Sequence, residues 1–315
     1  EGTCLGEQLF LILDLINLHN HYPDTQLSNL IEELSKKASK MLTWLTFMTH
    51  PDGEIAFFND AALNMSLNLS ELKEYALKLG IEGHYREFNG TTHLKDSGYG
   101  IVSSEHFKLI CDIGKIGPDY MPGHGHADVL SFELSINNER VFVNSGTSIY
   151  GLSNERLEQR KTKAHNTVEV DHVDSSEVWS GFRVAKRAYP NNICVEENCI
   201  CASHLGYQRL KGGVIHNREW KVSDLSIKII DKISGKFNIA SAYYHVHPQI
   251  TVIKKDSNTY ELNHANGKSY EFRISGGISK LIDSFWHPEF GTSIPNKTFQ
   301  IDIKNKELTS SITIL

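Results

Sequence analysis

The chain has 315 residues, with 32 Lys and Arg against 38 Asp and Glu and a formal net charge of −6. Without a clustered basic face it is not expected to bind nucleic acid. Its longest apolar run, residues 9–16, is broken by Asp14 and is far too short to span a bilayer. The length admits two domains or one large β architecture. The sequence opens at Glu1, without methionine and inside an apparent helix, so it is expected to be a fragment or a processed chain.

Residues 1 to about 80 read as helical. Leu5, Leu9, Ile12, Leu13 and Ile16, and then the span 27–48, repeat apolar side chains at steps of three and four. Asp24 or Thr25 is expected to cap the second helix, and Pro51-Asp52-Gly53 closes it with a turn. A shorter third helix opens near Ser70 and stops at Gly80. Leu9 to Leu13 form an unbroken apolar row, and a helix apolar all round belongs inside a larger assembly. Further helices before residue 1, or cover from a following sheet, are therefore expected.

From about Thr91 the period becomes two, punctuated by Gly, Asn and Asp. Strands are predicted at 98–103, 107–112, 129–136, 140–144, 167–170, 193–195, 213–222, 225–233, 240–246, 259–262, 270–274 and 311–315. Asn137-Asn138 signals a two-residue hairpin. Strands in such number with no helices between them predict an antiparallel sandwich. The expected fold class is α+β, with a helical part over residues 1–85 and a large antiparallel β-sandwich over 86–315.

The five cysteines lack zinc-ribbon spacing. Cys199 and Cys201 share one face of a strand, where packing is a better reading than metal binding. His245-Val246-His247 lies among Tyr243, Tyr244 and Pro248 and also reads as packing. His19 and His21 flank a helix end, an ordinary place for imidazole.

The chemistry concentrates in Pro122-Gly123-His124-Gly125-His126-Ala127-Asp128, which runs into the predicted strand 129–136. Glycines permit positive φ and close approach of a ligand to the backbone. Asn144, at the end of the paired strand, His165, at the start of another, and Tyr150 and Arg160 between them are candidates to converge there. Two imidazoles with an oxygen ligand suit a zinc site, which needs only three protein ligands if water or substrate takes the fourth position. A simple hairpin at Asn137-Asn138 puts Asn144 opposite about Ser131, so His126 has to fold back over the sheet.

The string from Tyr120 through Leu134, with Val143-Asn144-Ser145-Gly146-Thr147 and Ala164-His165-Asn166-Thr167-Val168, resembles the heparinase II/III family of polysaccharide lyases. The likeness continues through Phe182-Arg183, His204-Leu205-Gly206-Tyr207 and His216-Asn217-Arg218, and back to Met41-Leu42-Thr43-Trp44-Leu45 and Pro51-Asp52-Gly53-Glu54-Ile55. The resemblance implies the end of an incomplete α/α toroid followed by the sandwich, and a periplasmic or secreted bacterial protein. It implies His124 as catalytic and His126, Asn144 and His165 as zinc positions. Asn144 stands where the family has aspartate, and an amide lacks the charge that favours a divalent ion. The family's toroid tyrosine follows a Glu-Gly-Ser/Thr turn, but Glu1-Gly2-Thr3 is followed by no tyrosine until Tyr22.

The implied reaction is β-elimination on a uronic-acid-containing polysaccharide. A base takes the proton α to the carboxylate, an acid protonates the leaving oxygen, and charge on the carboxylate must be neutralised. Histidine suits either proton-transfer role. Tyr150, Arg160 and Asn166 are the expected sugar contacts. Two alternatives stay open: a catalytically inactive carbohydrate-binding protein on the same scaffold, and a cupin-like metal enzyme, whose shorter histidine-to-glutamate spacing Glu133 does not match.

Overall fold

The computed structural model describes residues 2–81, 89–120 and 122–315. Glu1, Met121 and the expected domain boundary at 85/86 lie outside the described residues. Three helices come first, α1 (Gly2–His21), α2 (Ser28–Met48) and α3 (Leu69–Lys78). They bury Leu9, Leu13 and Ile16 against Leu42, Leu45, Leu72 and Ala76. Neither Asp24 nor Thr25 caps α2: its N-cap is Leu27, which makes no side-chain cap bond, while Asp24 accepts from the Gln26 N–H in the preceding turn. At α3, by contrast, Asn68 and Glu71 satisfy each other's backbone N–H groups as a capping box. No helix among the described residues is long and apolar enough to cross a membrane.

Two large antiparallel sheets follow. The first runs, in spatial order, through Gly90–Leu94, Tyr99–Ser103, Phe107–Asp112, Phe132–Ile136, Glu139–Phe142, Ala240–Val246, Ile294–Ile303 and Gly277–Trp286. Val168–Val170 also pairs with Ala240–Val246. The second sheet runs Ile250–Lys254, Thr259–His264, Ser269–Ser275, Glu307–Ile314, Ser226–Ser234, Ile215–Val222, Cys199–His204 and Pro190–Glu196. The main core lies between them and joins Phe132, Leu134 and Phe142 of the first sheet to Trp220, Ile229, Tyr270 and Phe272 of the second.

The outer face of the first sheet is covered as well. Met48, Ala56 and Phe58 pack on Tyr99, Ile101 and Ile110. Below that contact a polar network fixes the segment after α2. The Arg140 guanidinium reaches Asp52, Glu133 and the carbonyls of Glu54 and Ile55. His50 meets Ser135 at 2.7 Å and Glu133 at 3.2 Å. Burial pushes the Glu133 carboxyl up to about 7, with Arg140 opposing it.

The hairpin at Asn137-Asn138 forms with φ of 50° and 70°, but its register shifts between Leu134 and Ser135. The predicted strand 129–136 begins only at Phe132. Leu130 takes φ 60°, and its carbonyl is held at 2.8 Å by Arg218 of the second sheet. Cys199 and Cys201 do not pack in the core, where Ile200 and Ala202 sit; they alternate onto the half-exposed outer face.

Candidate active site

Asp60 is the centre of the site. It arrives on Phe57-Phe58-Asn59-Asp60, a segment held at both ends. Phe57 donates its N–H to Glu133 at 3.0 Å and receives the Asn144 amide on its carbonyl at 2.9 Å. Asn59, at φ 56°, takes the His126 N–H on its side-chain oxygen at 3.1 Å. The Asp60 carboxylate accepts from His124 Nδ1 at 2.9 Å, His126 Nε2 at 2.8 Å and Arg156 Nη2 at 2.7 Å, with Arg156 Nη1 on its other oxygen. Burial alone would raise this carboxyl. The hydrogen bonds from the two histidines and Arg156 overcome it and hold Asp60 well below the usual carboxylate range.

An ionised carboxylate only accepts, so these contacts fix the tautomers. His124 carries its proton on Nδ1 and leaves Nε2 as the basic nitrogen. His126 carries its proton on Nε2 and turns an unprotonated Nδ1 to His165 Nε2, 3.2 Å away. The two rings have different surroundings. The side chain of His124 is 55% exposed, while His126 is fully buried. Burial pushes His126 down to about 4 against the pull of Asp60, and pushes His165 well below the ordinary histidine value.

Gly125 separates them, although neither it nor Gly123 uses positive φ. Glycine is needed at 125 because a Cβ there would stand 2.7 Å from Ile116 Cγ1 and 3.2 Å from the Pro122 carbonyl oxygen. Arg160 secures the same turn from behind. It is fully buried and gives its N–H groups to the Gly125 carbonyl at 2.8 and 3.2 Å and to the carbonyls of Ser180 and Arg183. Burial, with Arg156 nearby, pushes it down to about 10. Arg160 therefore shapes the loop and does not reach sugar. Asn166 is corrected in the same way: its amide bridges the Phe132 carbonyl at 2.8 Å and the His245 N–H at 2.7 Å in the interior.

The expected metal triad is brought together only in part. Zinc–imidazole bonds of about 2.0–2.1 Å in a tetrahedron separate two ligand nitrogens by roughly 3.3–3.4 Å, close to the His126–His165 spacing. Asn144 does not complete the set. Its amide oxygen accepts the Asn166 N–H at 3.1 Å and its nitrogen donates to the Phe57 carbonyl, so it works as a buried brace between loops. Among the described residues no group of three or more His, Cys, Asp or Glu is placed to hold a metal ion. Two neutral imidazoles and a tied amide do not fit the three-ligand zinc centre. They do fit a direct bond in which His165 Nε2–H donates to His126 Nδ1. The remaining His165 Nδ1, which is buried without a hydrogen-bond partner, is then a bare lone pair rather than a stranded N–H.

In front of His124 lies a cleft of about 340 Å³, lined by Cys4, Leu5 and Gln8 of α1, by Asn59 and Asp60, and by Gly117, Pro118, Tyr120 and Pro122. Beside it stand Tyr150 and Phe182, 6.0 and 6.1 Å from the His124 ring and both partly exposed. Phe290 packs on Tyr150 at 4.7 Å, and the Arg156 guanidinium lies under both Tyr150 and Phe182. Of the three expected sugar contacts, Tyr150 alone borders the cleft. Asp60 and Arg156 were not anticipated from the sequence; the one local sign was a carboxylate set among aromatic and small residues just after the Pro51-Asp52-Gly53 turn.

A solved heparinase III aligns over 99% of this chain and 53% of its own, with 15% identity and a TM-score of 0.76. A heparan sulfate lyase from Pedobacter heparinus aligns over 97% of this chain and 52% of its own, with 14% identity and a TM-score of 0.70. These likenesses show the fold, and the chain spans about half the length of either structure. No curated protein matches the sequence. The family described as heparinase II/III-like, C-terminal, matches residues 89–314, which takes in the His124 and His126 loop, the Asn144 brace and His165, and the chain belongs to that family.

Proposed function

We propose that the protein is a polysaccharide lyase that cleaves a uronic-acid-containing polysaccharide by β-elimination, with His124 in direct contact with the reacting sugar. The observation that carries this reading is the pairing of a half-exposed imidazole with a buried carboxylate. Asp60 accepts the hydrogen bond of the His124 Nδ1–H, which leaves Nε2 as the ring nitrogen available to take a proton at the cleft. A base so placed removes the proton α to the uronate carboxylate, the glycosidic C–O bond breaks as the double bond forms, and the imidazolium, stabilised meanwhile by the Asp60 charge, returns its proton to the departing oxygen. Asn59 lines the same cleft with its amide oxygen occupied by the His126 N–H, so the amide nitrogen is the group it offers to a uronate carboxylate. Tyr150 and Phe182 give the sugar ring an apolar wall. No step requires a metal at His126 and His165, whose part is to hold Asp60 and the loop in place.

The test is the ultraviolet absorbance of unsaturated uronate on a panel of uronate polymers, heparan sulfate among them. His124→Ala is expected to lower turnover by about 10²–10⁴-fold with the thermal midpoint unchanged. A protein that binds these polymers and produces no absorbance would establish the inactive carbohydrate-binding alternative. That alternative draws on the α1 wall of the cleft, which offers Cys4, Leu5 and Gln8 and no phenol.

A further inference from the structure

Three of the five cysteines fall on one hairpin of the second sheet, made by Pro190–Glu196 and Cys199–His204. Pro190–Glu196 is the outermost strand of that sheet, so one of its edges has no strand partner among the described residues. Cys194 and Cys201 are direct cross-strand partners in the register, and both are free thiols at intermediate exposure. Side chains at paired positions of an antiparallel ladder leave the same face, so the two thiols meet on the outer surface.

Cys199 shares that face, but its cross-strand partner is Glu196 and its thiol points to Glu219 at 3.7 Å. The spacing rules separate the pairs. Directly paired residues have Cα atoms about 4.5–5.5 Å apart, inside the range of about 4.4–6.8 Å that a disulfide spans. Diagonal neighbours such as Cys194 and Cys199 lie about 7–8 Å apart, outside it. The Cys194 thiol is pushed up to about 11 by its hydrogen bond to Glu196 and then by the Cys201 thiol beside it. It is mostly protonated at neutral pH, and the pair should oxidise faster as pH rises.

We propose that Cys194 and Cys201 are an oxidative modification site, closing a disulfide that staples the edge strand to the rest of the second sheet. With a small disulfide such as oxidised glutathione as oxidant, one cysteine thiolate attacks a sulfur and releases a glutathione thiolate. The second cysteine thiolate then attacks the protein sulfur of the mixed disulfide and expels the other glutathione. One S–S bond forms and one breaks, the two cysteines lose two protons and two electrons, and the oxidant leaves as two thiols. The link joins neighbours that are already in place, so the edge strand is held against fraying and the His124 cleft is left as it was.

The experiment treats the folded protein with oxidised glutathione at pH 8.5, counts thiols and maps disulfide-linked peptides by mass spectrometry. Two of the five thiols should disappear, with a Cys194–Cys201 peptide recovered. The oxidised form should melt a few degrees above the reduced one, because the cross-link narrows the unfolded ensemble. Cys199→Ser should still form the link, while Cys194→Ser and Cys201→Ser should fold normally and lose it. Five thiols remaining, or a link through Cys199 or Cys4, would overturn the assignment.

Discussion

Among the described residues the chain aspartate–histidine–histidine occurs twice, once at the cleft and once inside the second sheet. At the cleft, Asp60 binds His126 Nε2 at 2.8 Å, and His126 Nδ1 meets His165 Nε2 at 3.2 Å. In the sheet, Asp231 binds His216 Nε2 at 2.6 Å, and His216 Nδ1 meets His204 Nε2 at 3.3 Å. Each aspartate also holds a guanidinium by two contacts, Arg156 in the first and Arg218 in the second. The difference is a third imidazole. Asp60 has His124 on its open side, half in solvent, whereas Asp231 is sealed and Arg218 spends its remaining donor on the carbonyls of Leu130 and Asn166. The motif alone is therefore a structural device, and what makes one copy a candidate for chemistry is the single exposed member.

The largest effect should come from breaking each aspartate. Asp231→Asn leaves Arg218 buried without its counter-charge and is expected to destabilise the fold by about 3–5 kcal/mol. The turnover of whatever remains folded should be normal. Asp60→Asn should destabilise too, by less because His124 keeps one side open, and should also lower elimination by on the order of 10³-fold because the His124 tautomer is no longer fixed. Denaturant midpoints and rates on the same preparations separate the two outcomes. Equal losses of turnover per folded molecule would mean that the cleft copy is no more functional than the sealed one.

Acid should weaken both copies. His126 is held at about 4 against an ordinary 6.5, and His165, His204 and His216 are also lowered by burial. The folded state binds fewer protons than the unfolded one in that interval. The stability is complete above the ordinary histidine value and is lost as pH falls through 6.5 towards 4. His126 alone accounts for up to about 3 kcal/mol. Glu133 opposes this: raised by burial to about 7 from 4.5, it stabilises the fold when protonated and loses that contribution as pH rises. Burial lowers His50, His245 and His247 in the same way, and the raised carboxyls of Glu54, Glu133 and Asp174 are fewer than the lowered imidazoles, so the midpoint in urea should drop between pH 7 and pH 4. A flat profile would mean that the imidazoles are not buried and neutral.

A smaller effect concerns zinc. Protein purified without chelator is expected to hold well under one zinc per chain, since Asn144 adds no charge and its amide is tied to Phe57 and Asn166. Asn144→Asp should raise the zinc content towards one, with some loss of stability from the broken brace. Stoichiometric zinc in the unaltered protein would show that the His126–His165 pair takes a cation despite the amide.

Much of this was legible in the sequence, and the rest fails for identifiable reasons. The three- and four-residue steps gave the helices, and Asn137-Asn138 marked its hairpin. The string around His124 and the His165 segment pointed to side chains that do meet. Asp60 was not legible, because it lies 64 residues before His124 and its one local sign, a carboxylate among aromatic and small residues, does not point to a partner so far along the chain. The strands Ile250–Lys254, Gly277–Trp286 and Ile294–Ile303 were missed because polar and charged residues on their outer faces thin the apolar pattern. Leu130 leaves the strand because Arg218, a partner from the other sheet, takes its carbonyl. Arg160 and Asn166 looked like sugar contacts because composition cannot distinguish a donor aimed at a buried carbonyl from one aimed at substrate.

The smallest effect, and the sharpest version of the comparison, lies in two tyrosines, one beside each copy. Tyr207 packs on His204 at 5.1 Å, is fully buried, and donates its hydroxyl to the Val168 carbonyl at 2.7 Å. Tyr150 stands by His124, partly exposed, its ring held by Phe290 and Phe182, and its hydroxyl kept protonated by burial and then by the Asp60 charge. Removing each hydroxyl should have opposite consequences. Tyr207→Phe strands a buried carbonyl and should lower stability by about 1 kcal/mol with kcat and KM unchanged. Tyr150→Phe keeps the ring and its packing, so stability should hold within about 0.5 kcal/mol. KM on the best uronate polymer should rise about threefold to tenfold, the loss of one sugar hydrogen bond, while kcat moves little. Were kcat to fall instead with KM steady, Tyr150 would be acting on the leaving oxygen in the transition state rather than gripping the sugar, and were neither to move, the wall beside His124 would be packing of the same kind as that around His204.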